Sequence, residues 1–127
     1  MNEEEDKERT LLAIGAAQRY FDAFITVVDP KYEISWHHDI LIKKLESVLE
    51  RVERGEKVRL IICMPPRHSK SETASIKFPA WVLGKHPDWP IIMSSYAAEI
   101  ALDFGLKTRD LLSDERYQAI FPGTVLR

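Results

Sequence analysis

The chain has 127 residues, of which 45% are hydrophobic and 30% charged, and its formal net charge is −2. These values are typical of one globular domain with a core of its own, and the slight negative charge argues against non-specific binding of duplex DNA by this chain alone. The single cysteine, Cys63, excludes an internal disulfide, while the acidic N-terminus and the lack of an apolar run of ~20 residues predict neither a secretory leader nor a membrane span.

Two helices are predicted in the first half of the chain. Residues 10–28 place apolar side chains on one helical face, namely Ile14, Ala17, Phe21, Phe24 and Val28. The pair Asp29-Pro30 ends this helix, because the residue before a proline disfavours the α region. Residues 36–53 form the second helix, with Ser35 as its N-cap and Gly55 near its C-cap. Residues 1–9 are charged and are predicted to fray.

The second half of the chain alternates between predicted strands and helices. Residues 58–64 are nearly all apolar, as in a buried strand of a parallel sheet, and residues 90–95 form a second short strand. A helix from about residue 71, interrupted by Pro79, follows the first strand, and a helix at residues 97–112 follows the second. The order β-α-β-α predicts parallel strands joined by right-handed crossovers. The predicted fold class is therefore α/β, an incomplete parallel sheet with helices, because two strands are fewer than the ~5 of an ordinary sheet.

The most informative segment lies between the first strand and its helix. It reads Pro65-Pro66-Arg67-His68-Ser69-Lys70-Ser71. A strand, a turn that ends in Lys-Ser and a helix are the parts of a phosphate-binding loop, in which backbone N–H groups and a lysine face the anion. The usual glycine before the lysine is replaced by Ser69, and both prolines lack an N–H, so the donors must come from Arg67 through Ser71.

The loop and its surroundings resemble the phosphate loop, or Walker A motif, of phage and prophage terminase large subunits. There the motif commonly reads P-P-R-H-G-K-S-E after a strand. The resemblance starts at Tyr32 and continues through four further segments, Trp36-His37-His38, Phe78-Pro79-Ala80-Trp81-Val82-Leu83-Gly84, Pro90-Ile91-Ile92-Met93-Ser94-Ser95-Tyr96 and Tyr117-Gln118-Ala119-Ile120-Phe121-Pro122. It implies that residues 32–127 are the N-terminal part of a P-loop NTPase-type ATPase domain, preceded by an N-terminal helical segment at residues 1–31.

The resemblance implies ATP and Mg²⁺ as cofactors. Lys70 would contact the β- and γ-phosphates and Ser71 would ligate Mg²⁺, with Arg67 as a γ-phosphate sensor or stabiliser. The alternatives are a surface lysine, a helix N-cap and a salt bridge from Arg67 to Glu72. His68 and Ser69 would complete the cradle, although His68 is not expected to act in catalysis.

Trp36 falls on the adenine side of the site that the resemblance implies. Packing in the core is the alternative role for this side chain. The neighbouring histidines, His37 and His38, are adjacent in sequence and so do not share a helix face, which makes a metal site there improbable.

The resemblance also implies parts that this sequence does not show. Hydrolysis of ATP in the family needs an acidic pair, Asp-Glu, after four apolar residues (the Walker B strand), and no such segment follows Ser95. The nuclease domain is likewise not found. We therefore expect nucleotide binding without turnover by this chain alone. For the full-length family the implied partners are double-stranded DNA, the small terminase subunit and the portal, in the cytoplasm of a bacterial host and without a membrane.

Two other functions are open at this point. The chain could be a non-catalytic prophage remnant or an interaction module, in which the face formed by Phe21, Phe24 and Ile25 docks a partner such as the small terminase subunit. An unrelated phosphate-loop kinase is the third hypothesis, but no phosphate-acceptor site was identified for it.

Overall fold

The computed structural model describes residues 2–64 and 72–124, and this part of the chain contains helices and connecting segments but no β-strand. The helices are α1 (Glu3–Arg19), α2 (Phe21–Val28), α3 (Trp36–Glu53), α4 (Phe78–Lys85), α5 (Ala98–Leu112) and α6 (Glu115–Ile120). A π-helical turn, Thr73–Lys77, leads directly into α4. The packing of helices therefore builds the core of the described residues.

The predicted α/β fold class, with its incomplete P-loop NTPase-type parallel sheet, is wrong for the described residues. The two predicted strands, at residues 58–64 and 90–95, are connecting segments that do not pair. Ile61 and Ile92 in these segments are 88% and 93% exposed, whereas strands of a parallel sheet are covered on both faces. An apolar run forms a strand only when a neighbouring strand makes hydrogen bonds with its backbone N–H and C=O groups. Residues 58–64 and 90–95 make no such bonds with each other.

Residues 10–28 form parts of two helices rather than one. The break is at Tyr20, whose extended backbone (φ −121°, ψ 129°) ends α1 and begins α2. The N-terminal residues are helical and not frayed, because α1 begins at Glu3 and the side chain of Asn2 accepts a hydrogen bond of 2.8 Å from the backbone of Glu5. An N-cap of this kind satisfies one of the free N–H groups of the first turn.

The hydrophobic face of the N-terminal segment points into the core and is not a docking surface. Phe21, Phe24 and Ile25 are fully buried. Phe21 stacks on Trp81 of α4 with ring centroids 5.2 Å apart. The hypothesis that these residues meet a partner protein is therefore wrong, since the fold itself covers them.

The predictions for α3 are confirmed at both ends. The helix begins at Trp36, and the backbone N–H of Ser35 donates a hydrogen bond of 3.2 Å to Nδ1 of His38 in a capping box. At the other end Gly55 has a φ of +88°, in the left-handed region that glycine enters at little cost. Local sequence signals thus determine both limits of this helix.

Pro79 was predicted to kink or end its helix, but α4 continues from Phe78 to Lys85. The π-helical turn, Thr73–Lys77, immediately precedes the proline. A wider turn at this point separates the pyrrolidine ring from the carbonyl four residues earlier, which is the clash that normally breaks a helix. The irregular turn therefore lets the proline lie in the first turn of α4.

Three long-range hydrogen bonds hold the terminal helices against the centre of the core. The indole Nε1–H of Trp81 donates to the Ala17 carbonyl at 3.1 Å, and the Tyr117 hydroxyl donates to the Ala80 carbonyl at 2.7 Å. The Gln18 amide donates to the Ile120 carbonyl at 2.8 Å. One hydrophobic cluster joins α1, α2, α3, α4 and α6 with Leu112 of α5, so that residues before and after residue 32 share a core.

Candidate functional site

An apolar groove lies between the N-terminal half of α3 and the connecting segment that ends at Met64. Its volume is about 470 Å³, which is within the range of sites for small ligands. Five residues of α3 and five of the segment line it, namely Trp36, His37, Ile40, Leu41, Lys44, Leu60, Ile61, Ile62, Cys63 and Met64. The groove reaches the last residue before Pro65, and therefore the start of the candidate phosphate loop.

Trp36 and Ile40 form the exposed part of the α3 wall of this groove. Trp36 is 76% exposed and Ile40 is 62% exposed. The helical spacing of four residues places both side chains on the same face of α3. Packing of Trp36 in the core is therefore excluded. Its indole ring is available to stack on a planar group, with the His37 ring edge-on at 5.5 Å.

The other candidate residues of the phosphate loop, Arg67, His68, Ser69, Lys70 and Ser71, lie outside the described residues. The structure resumes at Glu72, and residues 72–85 are continuously helical. Residues 57–64 on the other side of the loop form a connecting segment without regular structure. Residues 65–71 thus lie between an irregular segment and a helix, and the N-terminal side of a helix favours negative charge.

A buried lysine lies in the first turns of that helix. The side chain of Lys77 is 4% exposed, and its ammonium group contacts two carboxylates, Glu72 at 2.8 Å and Asp29 at 3.3 Å. The same ammonium lies 4.7 Å from the centre of the Tyr32 ring. A buried charge needs such partners, because an unpaired ammonium would lose its hydration without compensation.

Tyr32 connects the lysine cluster to the segment before α3. Its hydroxyl is 2.7 Å from the hydroxyl of Thr73, which is fully buried. Burial raises the pKa of Tyr32 above its usual value of 10.0, the hydrogen bond with Thr73 opposes this shift, and the carboxylates of Glu72 and Asp29 add to it. Tyr32 is therefore a neutral hydrogen-bonding group at physiological pH.

Sequence analysis did not identify Lys77, Thr73 or Asp29 as members of a polar cluster. They come from different parts of the chain, with Asp29 just after α2 and the other two in the π-helical turn. The sequence Ile76-Lys77-Phe78 gave no signal of burial, because a lysine is almost never fully buried unless it is paired. Nothing in the sequence predicted which carboxylates would pair with it.

No group of three or more histidine, cysteine, aspartate or glutamate side chains within residues 2–64 and 72–124 is arranged to hold a metal ion.

Among the helices formed by those same residues, none has both the length and the apolar character that a membrane span requires.

Comparisons of the chain with protein-family models, with curated proteins and with solved structures gave no match.

Proposed function

We propose that this chain is the ATP-binding N-terminal segment of a terminase large subunit from a phage or prophage. In this proposal residues 65–71 bind the phosphates of ATP·Mg²⁺. Lys70 contacts the β- and γ-phosphates, Ser71 ligates the metal ion and Arg67 stabilises the γ-phosphate. The function in the full-length protein would be the packaging of DNA in the bacterial cytoplasm, with DNA, the small subunit and the portal as partners.

The observation that carries the proposal is the exposed Trp36 in a groove that reaches Met64. A nucleotide bound at residues 65–71 would have to place its base beside the ends of the loop. The groove offers a flat aromatic ring and apolar walls there, with Lys44 as the charged side chain. Stacking of a base on an aromatic ring contributes about 1–3 kcal/mol per base in single-stranded nucleic-acid complexes. Trp36 is therefore assigned to the adenine.

The start of the helix after the loop also supports the proposal. Glu72 would repel a phosphate if its carboxylate were unpaired, but the ammonium of Lys77 lies 2.8 Å from it. The helix that contains residues 72–85 directs the positive end of its dipole towards the preceding residues. These features favour an anion next to Ser71.

Thermal unfolding with and without Mg·ATP tests the proposal. A ligand that binds only the folded state raises its stability by about 2.7 kcal/mol at a concentration of 100 Kd. We expect Mg·ATP to raise the Tm of the wild-type chain and Lys70→Ala to abolish the shift. Lys107→Ala removes an exposed lysine of α5 and is the matched control, which should keep the shift. The absence of a shift with millimolar Mg·ATP would contradict the proposal.

The contributions of the adenine base and of the phosphates to binding can be measured separately. Trp36→Ala should reduce the Tm shift caused by Mg·ATP and leave that caused by Mg·tripolyphosphate unchanged, because the latter ligand has no base. Since Trp36 is 76% exposed, the variant should fold normally. Equal shifts of wild type and Trp36→Ala with Mg·ATP would refute the role of the groove while leaving the phosphate loop in place.

The second candidate function is a prophage remnant that no longer binds nucleotide and serves as an interaction module. Ser69 favours it, because a Cβ next to Lys70 narrows the cradle that glycine leaves open in the family motif. Replacement of Ser69 by glycine distinguishes the two candidates. If wild type shows no response to Mg·ATP and Ser69→Gly restores a Tm shift, the chain has lost nucleotide binding through this residue.

A further inference from the structure

The outward face of α1 carries exposed leucines that do not pack in the core of this chain. Leu11 and Leu12 are 69% and 68% exposed, although leucine is one of the residue types most often buried. At 3.6 residues per turn, they lie on the side of α1 opposite Ala17, which is fully buried against the rest of the protein. The two leucines are therefore not part of the core of this chain.

Charged and small residues continue this face in both directions along the helix. With a spacing of four residues, Glu4 and Glu8 lie in a row with Leu12, while Leu11 begins a second row with Gly15 and Arg19. All six residues fall within about 100° of the helix circumference. The first row begins with the acidic residues Glu4 and Glu8, and the second row ends with the basic residue Arg19.

We propose that the outward face of α1 binds α1 of a second copy of this chain, in antiparallel orientation. A two-fold axis between Leu11 and Leu12, perpendicular to both helices, brings the acidic end of this face level with the basic end of the other copy's face. Leu12 then contacts the partner's Leu12 and Leu11 contacts the partner's Leu11, while Glu8 lies beside the partner's Gly15. Glu4 faces the partner's Arg19, and the symmetry produces this ion pair twice, as an isologous interface requires.

Gly15 supports the close approach of a second helix. A Cβ built on Gly15 would meet no atom of the chain within 4 Å, so nothing within the described protomer requires a glycine there. Glycine within a helix costs about 1 kcal/mol relative to alanine. In the antiparallel pair its missing side chain leaves room for the longer side chain of Glu8 from the other copy.

The charge pattern selects this arrangement over a parallel one. In a parallel pair Glu4 would face the same residue of the second copy, and the two carboxylates would repel each other. Within the described residues neither Glu4 nor Arg19 takes part in an intramolecular ion pair. The interface is small, so a weak dimer is expected.

Sedimentation equilibrium without nucleotide, over a range of protein concentrations, tests the proposal independently of ATP binding. We expect a monomer–dimer equilibrium whose Kd rises at least tenfold in Leu11→Gln/Leu12→Gln. Gly15→Leu should weaken the dimer in the same way, and because its side chain enters open space and leucine favours helix, the monomer should be at least as stable to thermal unfolding as wild type. A wild-type chain that stays monomeric at millimolar concentration would overturn the proposal.

Charge reversal then tests the orientation. Glu4→Arg and Arg19→Glu should each weaken the dimer, and the double variant Glu4→Arg/Arg19→Glu should restore it, since the ion pair is re-formed with its charges exchanged. Failure of the double variant to recover would overturn the antiparallel register. A dimer that persists in the two-leucine variant would show that another surface holds the copies together, which also overturns the proposal.

Discussion

The ring of Phe121 lies directly against Gly84, so that a Cβ on this glycine would collide with three carbon atoms of the ring. The contact joins the last turn of α4 to the residue after α6. Phe121 is 7% exposed and also packs on Phe24 and Tyr117. Its ring therefore cannot move away from α4 without disturbing other core residues.

Gly84→Ala should lower the free energy of unfolding by about 1–2 kcal/mol, because overpacking exceeds the gain in helix propensity. Urea denaturation provides the measurement. The control is Gly105→Ala in α5, where a Cβ meets nothing within 4 Å and a gain of about 0.5–1 kcal/mol is expected. Equal effects of the two substitutions would show that the contact with Phe121 is unimportant.

Trp81→Phe should destabilise the chain by about 1–3 kcal/mol, because it leaves the buried carbonyl of Ala17 without its donor. The phenyl ring retains much of the stacking on Phe21, so the loss combines the hydrogen bond of 3.1 Å with the buried volume that the smaller ring leaves empty. Chemical denaturation followed by circular dichroism measures it. Trp36→Phe, at an exposed position, should change stability by less than about 0.5 kcal/mol.

Tyr117 should make stability depend on pH in the alkaline range. Burial raises the pKa of Tyr117 from 10.0 to about 12, against an opposing effect of the Thr124 hydroxyl. The folded state therefore holds this proton more tightly than the unfolded state. Its contribution, about 2 kcal/mol, is complete below pH 10 and is lost as the pH rises towards 12.

The measurement is the free energy of unfolding at pH 9 and at pH 11.5 for wild type and Tyr117→Phe. Tyr32 has a raised pKa as well and contributes in the same direction in both proteins, so that the difference between the proteins isolates Tyr117. The stability advantage of wild type should shrink at the higher pH. An advantage that stays constant would contradict the raised pKa.

Removal of the two carboxylates that pair with Lys77 should have non-additive effects on the free energy of unfolding. Asp29→Asn or Glu72→Gln alone leaves one carboxylate beside the buried ammonium, so each single change should cost less than about 1 kcal/mol. The double variant leaves the charge unpaired and should cost about 3 kcal/mol. A double-mutant cycle by urea denaturation measures the coupling.

The control for this cycle is Asp39→Asn. It breaks the exposed pair with Lys43, and a change below about 0.5 kcal/mol is expected. If the losses of unfolding free energy caused by Asp29→Asn and Glu72→Gln simply add, each carboxylate acts on Lys77 independently. One carboxylate would then not compensate for loss of the other.

Local sequence signals were sufficient where neighbouring residues decide the conformation. Ser35 and Gly55 predicted the limits of α3, and the periodic apolar residues predicted α5 and the buried face of α2. They failed at Tyr20, where one predicted helix became two, and at Pro79, where the helix does not end but continues to Lys85. The small helix α6 was also not predicted, since six residues are too short for a clear period.

In the candidate site, too, some features follow from the sequence alone and others only from the tertiary structure. Sequence alone provided the motif of residues 65–71 and the prediction of a terminase, because both depend on residue identity and order. Only the tertiary structure decided that Trp36 is exposed, that Lys77 is buried between two carboxylates, and that residues 58–64 do not pair with residues 90–95. The reason is that burial, ion pairing and strand pairing each depend on groups distant in the chain, whose positions no local pattern determines.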